Sequence, residues 1–137
     1  MITFNYETSF QIENETLLED WVASVVLSKG FKLGEINYVF CDDAYLHKLN
    51  VEFLKHDTLT DVISFDTTLG KLISGDIFIS VERVTENALD FKVPFEEELN
   101  RVMIHGVLHY MGYKDKSVAD KKKMRVAEDK AILSLIS

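Results

Sequence analysis

The chain has 137 residues, 47% of them hydrophobic and 28% charged, a composition and length that suit one soluble globular domain with its own core. Lys and Arg number 15 against 23 Asp and Glu, and the formal net charge of −8 argues against a protein that holds nucleic acid by overall charge alone. The single cysteine, Cys41, excludes an intramolecular disulfide and a cysteine-rich metal site, and no apolar run nears the ~20 residues of a membrane span.

The opening MITFNYETSF lacks the basic and apolar regions of a secretory signal, so a bacterial-type cytoplasm is the expected compartment. Ile2 to Tyr6 alternates apolar and polar residues and predicts a first strand. Asn14 is placed to cap a helix running to about Lys29, with Leu17, Leu18, Trp21, Val22, Val25 and Val26 as its apolar stripe. Ile36 to Cys41 predicts a second strand, and Asp42 or Asp43 caps a second helix whose Leu46, Leu49 and Phe53 face inward. The helix breaks around Lys55 to Leu59, and a third strand covers Asp61 to Phe65. Thr67 to Lys71 reads as a hairpin-like connection, Ser74-Gly75 as a turn and Asp76 to Ser80 as a fourth strand antiparallel to the third.

Ser80 caps a third helix carrying Val81, Val84, Ala88 and Phe91. Pro94 opens a fourth, where a helix's first turn tolerates proline and Glu96, Glu97 and Glu98 complement the helix dipole. Leu99, Val102, Met103 and Ile104 anchor it up to His105 and His109, and it stops at Gly112. Ser117 with Asp120 forms a capping box for a last helix. The expected fold class is α/β (α+β): one domain spanning residues 1–137, with one mixed four-stranded sheet packed by about five helices.

The stretch His105 to Lys116, HGVLHYMGYKDK, carries the chemistry. Residues four apart on a helix share a face with Cβ atoms about 6 Å apart, so His105 and His109 can share one metal ion. Gly112 is where a helix end wants positive φ, and the turn it permits lets Asp115 return to the histidines. Two nitrogens and one oxygen leave a fourth position open, as in catalytic rather than structural zinc sites. The spacing is also that of metzincin peptidases, H-E-x-x-H-x-x-G-x-x-H, but Gly106 stands where they carry their glutamate base. Lys114, Lys116, Lys121, Lys122, Lys123 and Arg125 crowd behind the motif, as a nucleic-acid-facing patch or simply a solvated helix face.

HGVLHYMGYKD resembles the signature of the YbeY family, bacterial zinc-dependent endoribonucleases of ribosomal RNA maturation. Two further blocks agree: Leu49-Asn50 followed by Thr60-Asp61-Val62-Ile63-Ser64-Phe65, and Gly75-Asp76-Ile77. By position, His105 and His109 match the family's first two metal ligands, and Asp115 stands where the third ligand is a histidine. The added negative charge would make a bound water less acidic than three neutral histidines do. Leu54 stands where the family commonly has an arginine thought to meet substrate phosphate, and Lys55 or His56 is the candidate replacement for RNA binding. Asp61 and Ser64 either line the cleft or are ordinary strand residues; His47 and Tyr113 are read as packing or surface residues.

The resemblance implies one zinc ion, a single-stranded RNA substrate (ribosomal RNA in particular), ribosomal partners and no membrane. The expected activity is metal-dependent, single-strand-specific endoribonuclease action in rRNA processing and ribosome quality control, through a metal-bound water rather than an assigned side chain. A zinc metallopeptidase-like hydrolase and a non-enzymatic ribosome-maturation factor with a structural metal are the alternatives.

Overall fold

The structure, a computed structural model, describes residues 1–55 and 60–136. Four strands form one mixed sheet: β1 (Ile2–Tyr6), β2 (Lys32–Cys41), β3 (Val62–Asp66) and β4 (Leu72–Ser80), in spatial order β1-β2-β4-β3. β1 and β4 flank β2 in parallel, and β3 lies antiparallel to β4 as the second edge. Among the described residues, five α-helices accompany it: α1 (Glu15–Ser28), α2 (Asp43–Leu49), α3 (Val81–Phe91), α4 (Phe95–Tyr110) and α5 (Val118–Ile136). A π-helical turn, Asn50–Leu54, continues α2. The expected fold class and the antiparallel β3–β4 pair are as read from the sequence.

The two sheet faces differ. Ile36, Tyr38 and Phe40 of β2 and Ile77 and Ile79 of β4 are fully buried in one cluster with Trp21, Val22 and Val26 of α1 and Met103, Ile104 and Leu108 of α4. On the other face Leu46 of α2 packs with Cys41 and Ile63, beside Phe65 and Phe78. Trp21 also donates its indole N–H to the Ala131 carbonyl of α5 at 2.8 Å, so its polar edge is satisfied where its ring is buried.

Several sequence expectations need correction. Leu17, Phe53 and Phe91 are 53%, 61% and 61% exposed rather than inward-facing. Leu17 falls outside the stripe of Leu18, Trp21, Val22, Val25 and Val26. Phe53 is displaced from the α2 stripe by the π-helical turn, whose wider winding breaks the α-helical spacing. Ser74-Gly75 is not a turn but lies inside β4, which begins at Leu72; the hairpin turns instead at Gly70, with φ +59. β2 likewise begins earlier, at Lys32, with a register irregularity between Leu33 and Ile36.

The capping signals act as the side-chain chemistry suggests. Asp42 accepts from the Tyr45 N–H at 2.8 Å, Ser80 from Arg83 N–H at 3.2 Å, and Ser117 from Asp120 N–H at 3.0 Å. Asn14 precedes α1 without a side-chain cap, and Pro94 sits at the N-cap of α4, just before its three glutamates. Among the described residues no helix is long and apolar enough to cross a membrane.

Candidate metal centre

α4 is the rigid platform of the site. Leu99, Val102, Met103, Ile104, Val107 and Leu108 bury its inner face, so its register against the sheet is firmly set. Gly106 permits that close approach: a Cβ there would lie 2.9 Å from Ile77 Cδ1. Gly75 plays the same part beneath the helix end, where a Cβ would fall 2.5 Å from Tyr110 Cζ. The Tyr110 hydroxyl sits 3.1 Å from the Asp76 carbonyl and 3.3 Å from the Phe65 carbonyl, spanning β4 and β3. Burial pushes its phenol up beyond the usual tyrosine range.

The helix ends as a Schellman motif. The Gly112 N–H donates to the His109 carbonyl at 3.0 Å and the Tyr113 N–H to the Leu108 carbonyl at 3.1 Å, with Gly112 at φ +98. The turn is pinned by Lys29, whose ammonium donates to the Tyr113 hydroxyl at 3.1 Å and lies 5.2 Å from its ring centroid. Asp115 follows directly and reaches back to α4.

His105 Nε2 and His109 Nε2 are 3.1 Å apart, and Asp115 Oδ2 lies 3.2 Å from His109 Nε2 and 3.4 Å from His105 Nε2. These three atoms form a group that could hold a metal ion. Zinc bonds of about 2.0–2.1 Å at tetrahedral angles set ligand atoms about 3.3–3.4 Å apart, close to all three edges. One imidazole N–H cannot satisfy three such edges at once, whereas one cation can. The side chains are 24%, 31% and 44% exposed, so the group is open on one side.

Behind His105 stands Glu128 of α5, which sequence reasoning missed. Its Oε2 lies 2.6 Å from His105 Nδ1, and its side chain is 6% exposed. A carboxylate there holds the ring proton on Nδ1 and leaves the Nε2 lone pair free, the arrangement that orients metal-bound histidines. Arg101, one helical turn before His105, donates to Glu128 at 3.0 Å and to Asp129 at 2.8 Å, fixing the Glu128 carboxylate in place. Burial disfavours a charged His105, but the Glu128 hydrogen bond and charge, with Asp115 and Asp61 nearby, hold its pKa above the ordinary value. A signal was present in the sequence: Glu128 falls among Met124, Ala127 and Ala131 on the buried stripe of α5, where a carboxylate needs a partner.

Asp61 enters the same region at the start of β3. It accepts from Asn87 at 3.2 Å, and burial raises its pKa. Ser64 is exposed on β3, close to the Tyr110 hydroxyl, and Tyr110 is the neighbour of His109. Lys55 ends the π-helical turn, exposed, at φ 57, and no hydrogen bond or ion pair among the described residues links it to the three-atom group. Leu54 beside it is 42% exposed, and His56 lies outside the described residues. His47 is half-buried in α2, and Tyr113 packs against the main core. Lys114, Lys116, Lys121, Lys122, Lys123 and Arg125 are all exposed.

An open triangle of two imidazoles and a carboxylate, backed by a buried second carboxylate, could hold a metal ion and has the open, three-donor make-up that separates reactive metal sites from closed structural ones. The family model of endoribonuclease YbeY matches residues 2–136, and the chain belongs to that family. It is 64% identical over 132 residues to the endoribonuclease YbeY of Flavobacterium johnsoniae, covering 96% of this chain and 95% of that protein. To the endoribonuclease YbeY of Flavobacterium psychrophilum it is 65% identical over 132 residues, covering 96% and 94%. The fold matches the solution structure of a Thermotoga maritima protein with a TM-score of 0.71 and 26% identity, over 98% of this chain and 89% of the other.

Proposed function

We propose that this chain, acting as one domain, is a zinc-dependent endoribonuclease that cuts single-stranded RNA in the cytoplasm, ribosomal RNA in maturation and quality control above all. The observation that carries the metal is the triangle His105, His109 and Asp115, with edges of 3.1, 3.2 and 3.4 Å. The family name carries the substrate class.

The chain's own residues divide the work. Glu128 keeps the His105 proton on Nδ1, and Arg101 holds Glu128 in position, so His105 presents a lone pair at the centre. Asp115 subtracts one charge from a divalent ion while leaving the centre cationic towards phosphate. His105, His109 and Asp115 would hold the zinc ion, which would supply Lewis acidity towards phosphate and water. The exposed Lys114, Lys116, Lys121, Lys122 and Lys123 draw the backbone towards this side, which makes affinity salt-sensitive. Lys55 is a weaker candidate for phosphate contact in place of the arginine that Leu54 lacks. Ribosomal proteins are the expected neighbours when the substrate is held in a pre-ribosome.

Peptide hydrolysis finds little support. Besides lacking the general base, position 106 is turned into the core, where an added Cβ would lie 2.9 Å from Ile77 Cδ1. The test offers zinc-loaded protein a labelled single-stranded RNA, the same RNA as a duplex, and an unfolded protein. Cleavage of the single strand alone is expected; sustained cleavage of the unfolded protein, abolished by His109→Ala, would overturn the assignment.

A further inference from the structure

Beside the metal centre, with His105 as the shared wall, lies a second cavity of about 300 Å³ between α4, α5 and the start of β3. Its polar lining is Asp61, Glu98, Arg101, His105, Arg125 and Glu128. Arg101 and Glu128 are committed to each other, and Glu128 also to His105. Glu98 is different. It is only 5% exposed as a residue, lines the cavity, and is held by no ion pair among the described residues. Its oxygens are not fully shut off from solvent and keep their acceptor capacity towards the cavity that the residue lines. Burial and neighbouring Asp61 raise its pKa, against Arg101 and Arg125. Asp61 accepts from Asn87 and from backbone N–H groups but keeps acceptor capacity towards the same space. Arg125 is exposed and forms no ion pair among the described residues.

We infer that this cavity is a nucleobase pocket selective for guanine, in which the Glu98 carboxylate accepts the N1–H and N2–H pair while Arg125 stacks at the rim. The inference rests on the nuclease reading, since a strand whose phosphate meets the His105 side must place a neighbouring base nearby. A cavity this small suits a planar ring rather than a larger ligand. Single-stranded bases are read on their Watson–Crick edges and by stacking on arginine planes, the chemistry that Glu98 and Arg125 offer. Guanine presents two adjacent donors, matching the two oxygens of one carboxylate. Uracil presents one N–H between two carbonyl oxygens, which would face the carboxylate as acceptor against acceptor. A second divalent cation fits less well, because the guanidinium groups of Arg101 and Arg125 line the same space.

The experiment measures binding of GMP and UMP to chelator-treated full-length protein by calorimetry, for wild type and Glu98→Gln, and maps cleavage sites on a mixed-sequence single-stranded RNA. Wild type should favour GMP over UMP by about tenfold to a hundredfold, the discrimination one good bidentate base contact supplies. Glu98→Gln puts an amide donor where guanine needs an acceptor. It should bring the ratio close to one and flatten the cleavage map while RNA is still cut. Equal affinity of wild type for the two nucleotides, or selectivity that survives Glu98→Gln, overturns the pocket. If Glu98→Gln fails to fold, a GMP-dependent shift of the Glu98 carboxyl carbon resonance in the wild-type protein supports the pocket, and its absence overturns it. A protein that cuts RNA without base preference loses only the pocket; one that selects GMP through Glu98 but cuts no RNA loses only the nuclease reading.

Discussion

Replacing Glu128 with glutamine isolates what the buried carboxylate does for the metal centre. The side chain keeps its shape, but the 2.6 Å contact to His105 Nδ1 changes from a charge-assisted hydrogen bond to a neutral one, or to a clash of donors if the amide nitrogen turns inward. Partners at this distance from a metal ligand typically contribute about 10- to 100-fold in metal affinity. Zinc affinity should therefore fall by roughly that factor, as read by competition with a chromogenic chelator. Arg101, 12% exposed, loses one anionic partner but keeps Asp129 at 2.8 Å. The stability cost should then stay near about 2 kcal/mol, the range for a hydrogen bond to a charged group, rather than the ~3–5 kcal/mol of an orphaned buried ion. Urea denaturation of the metal-free proteins separates that cost from the affinity change. Wild-type zinc affinity in Glu128→Gln, alongside a clear loss in His109→Ala, would refute the assignment of Glu128 as the orienting partner.

Four other expectations rest on three separate features. Gly106→Glu should prevent stable folding, because the added Cβ already meets Ile77 at 2.9 Å and the carboxylate would enter an apolar core; far-ultraviolet circular dichroism and urea melts report it. Gly106→Ala should cost no more than about 2 kcal/mol, since the ~1 kcal/mol helix preference of alanine offsets part of the overpacking. Gly75→Ala should be the harsher small substitution, because its Cβ falls 2.5 Å from the Tyr110 ring and 2.6 Å from the Phe65 backbone carbonyl, and a thermal melt should drop well below that of Gly106→Ala. For pH, the hydrogen bond from Arg83 holds the Asp43 carboxyl below its ordinary 3.8, helped by Ser80 and opposed by burial. Its stabilisation is complete above that value and is lost as pH falls through the lower folded-state pKa. Asp43→Asn should therefore flatten the most acidic limb of the stability–pH curve and leave the profile near pH 6 to 8 parallel to wild type, by urea midpoints; an unchanged acidic limb would contradict it.

Much of the fold was legible because its signals are local. Alternation in Ile2–Tyr6, the stripe from Leu18 to Val26, and the caps Asp42, Ser80 and Ser117 each act within one turn or strand. The misreadings have two causes, one tertiary and one local. Gly75 looks like a turn residue until Tyr110, distant in sequence, is found in the space its missing side chain leaves. Phe53 follows the α2 stripe until the backbone winds into a π-helical turn. At the candidate centre, His105, His109 and Asp115 lie within one short stretch, so their spacing could be read directly. For Glu128 the stripe of α5 signals a buried carboxylate but not its partner, which lies 23 positions away at His105, and Glu98 faces a cavity bounded by three elements.

The most direct test is cleavage of a labelled single-stranded RNA by zinc-loaded protein, with His109→Ala as the matched control and metal content measured on both. The account predicts one zinc per wild-type chain and cleavage by wild type alone, the mutant having lost both metal and activity. Equal cutting by the two proteins would contradict it, as would a folded, zinc-loaded wild type that leaves RNA intact. The latter result would turn attention to Asp115 and Leu54, where the chain departs from the family pattern, and to a ribosome-maturation role without catalysis.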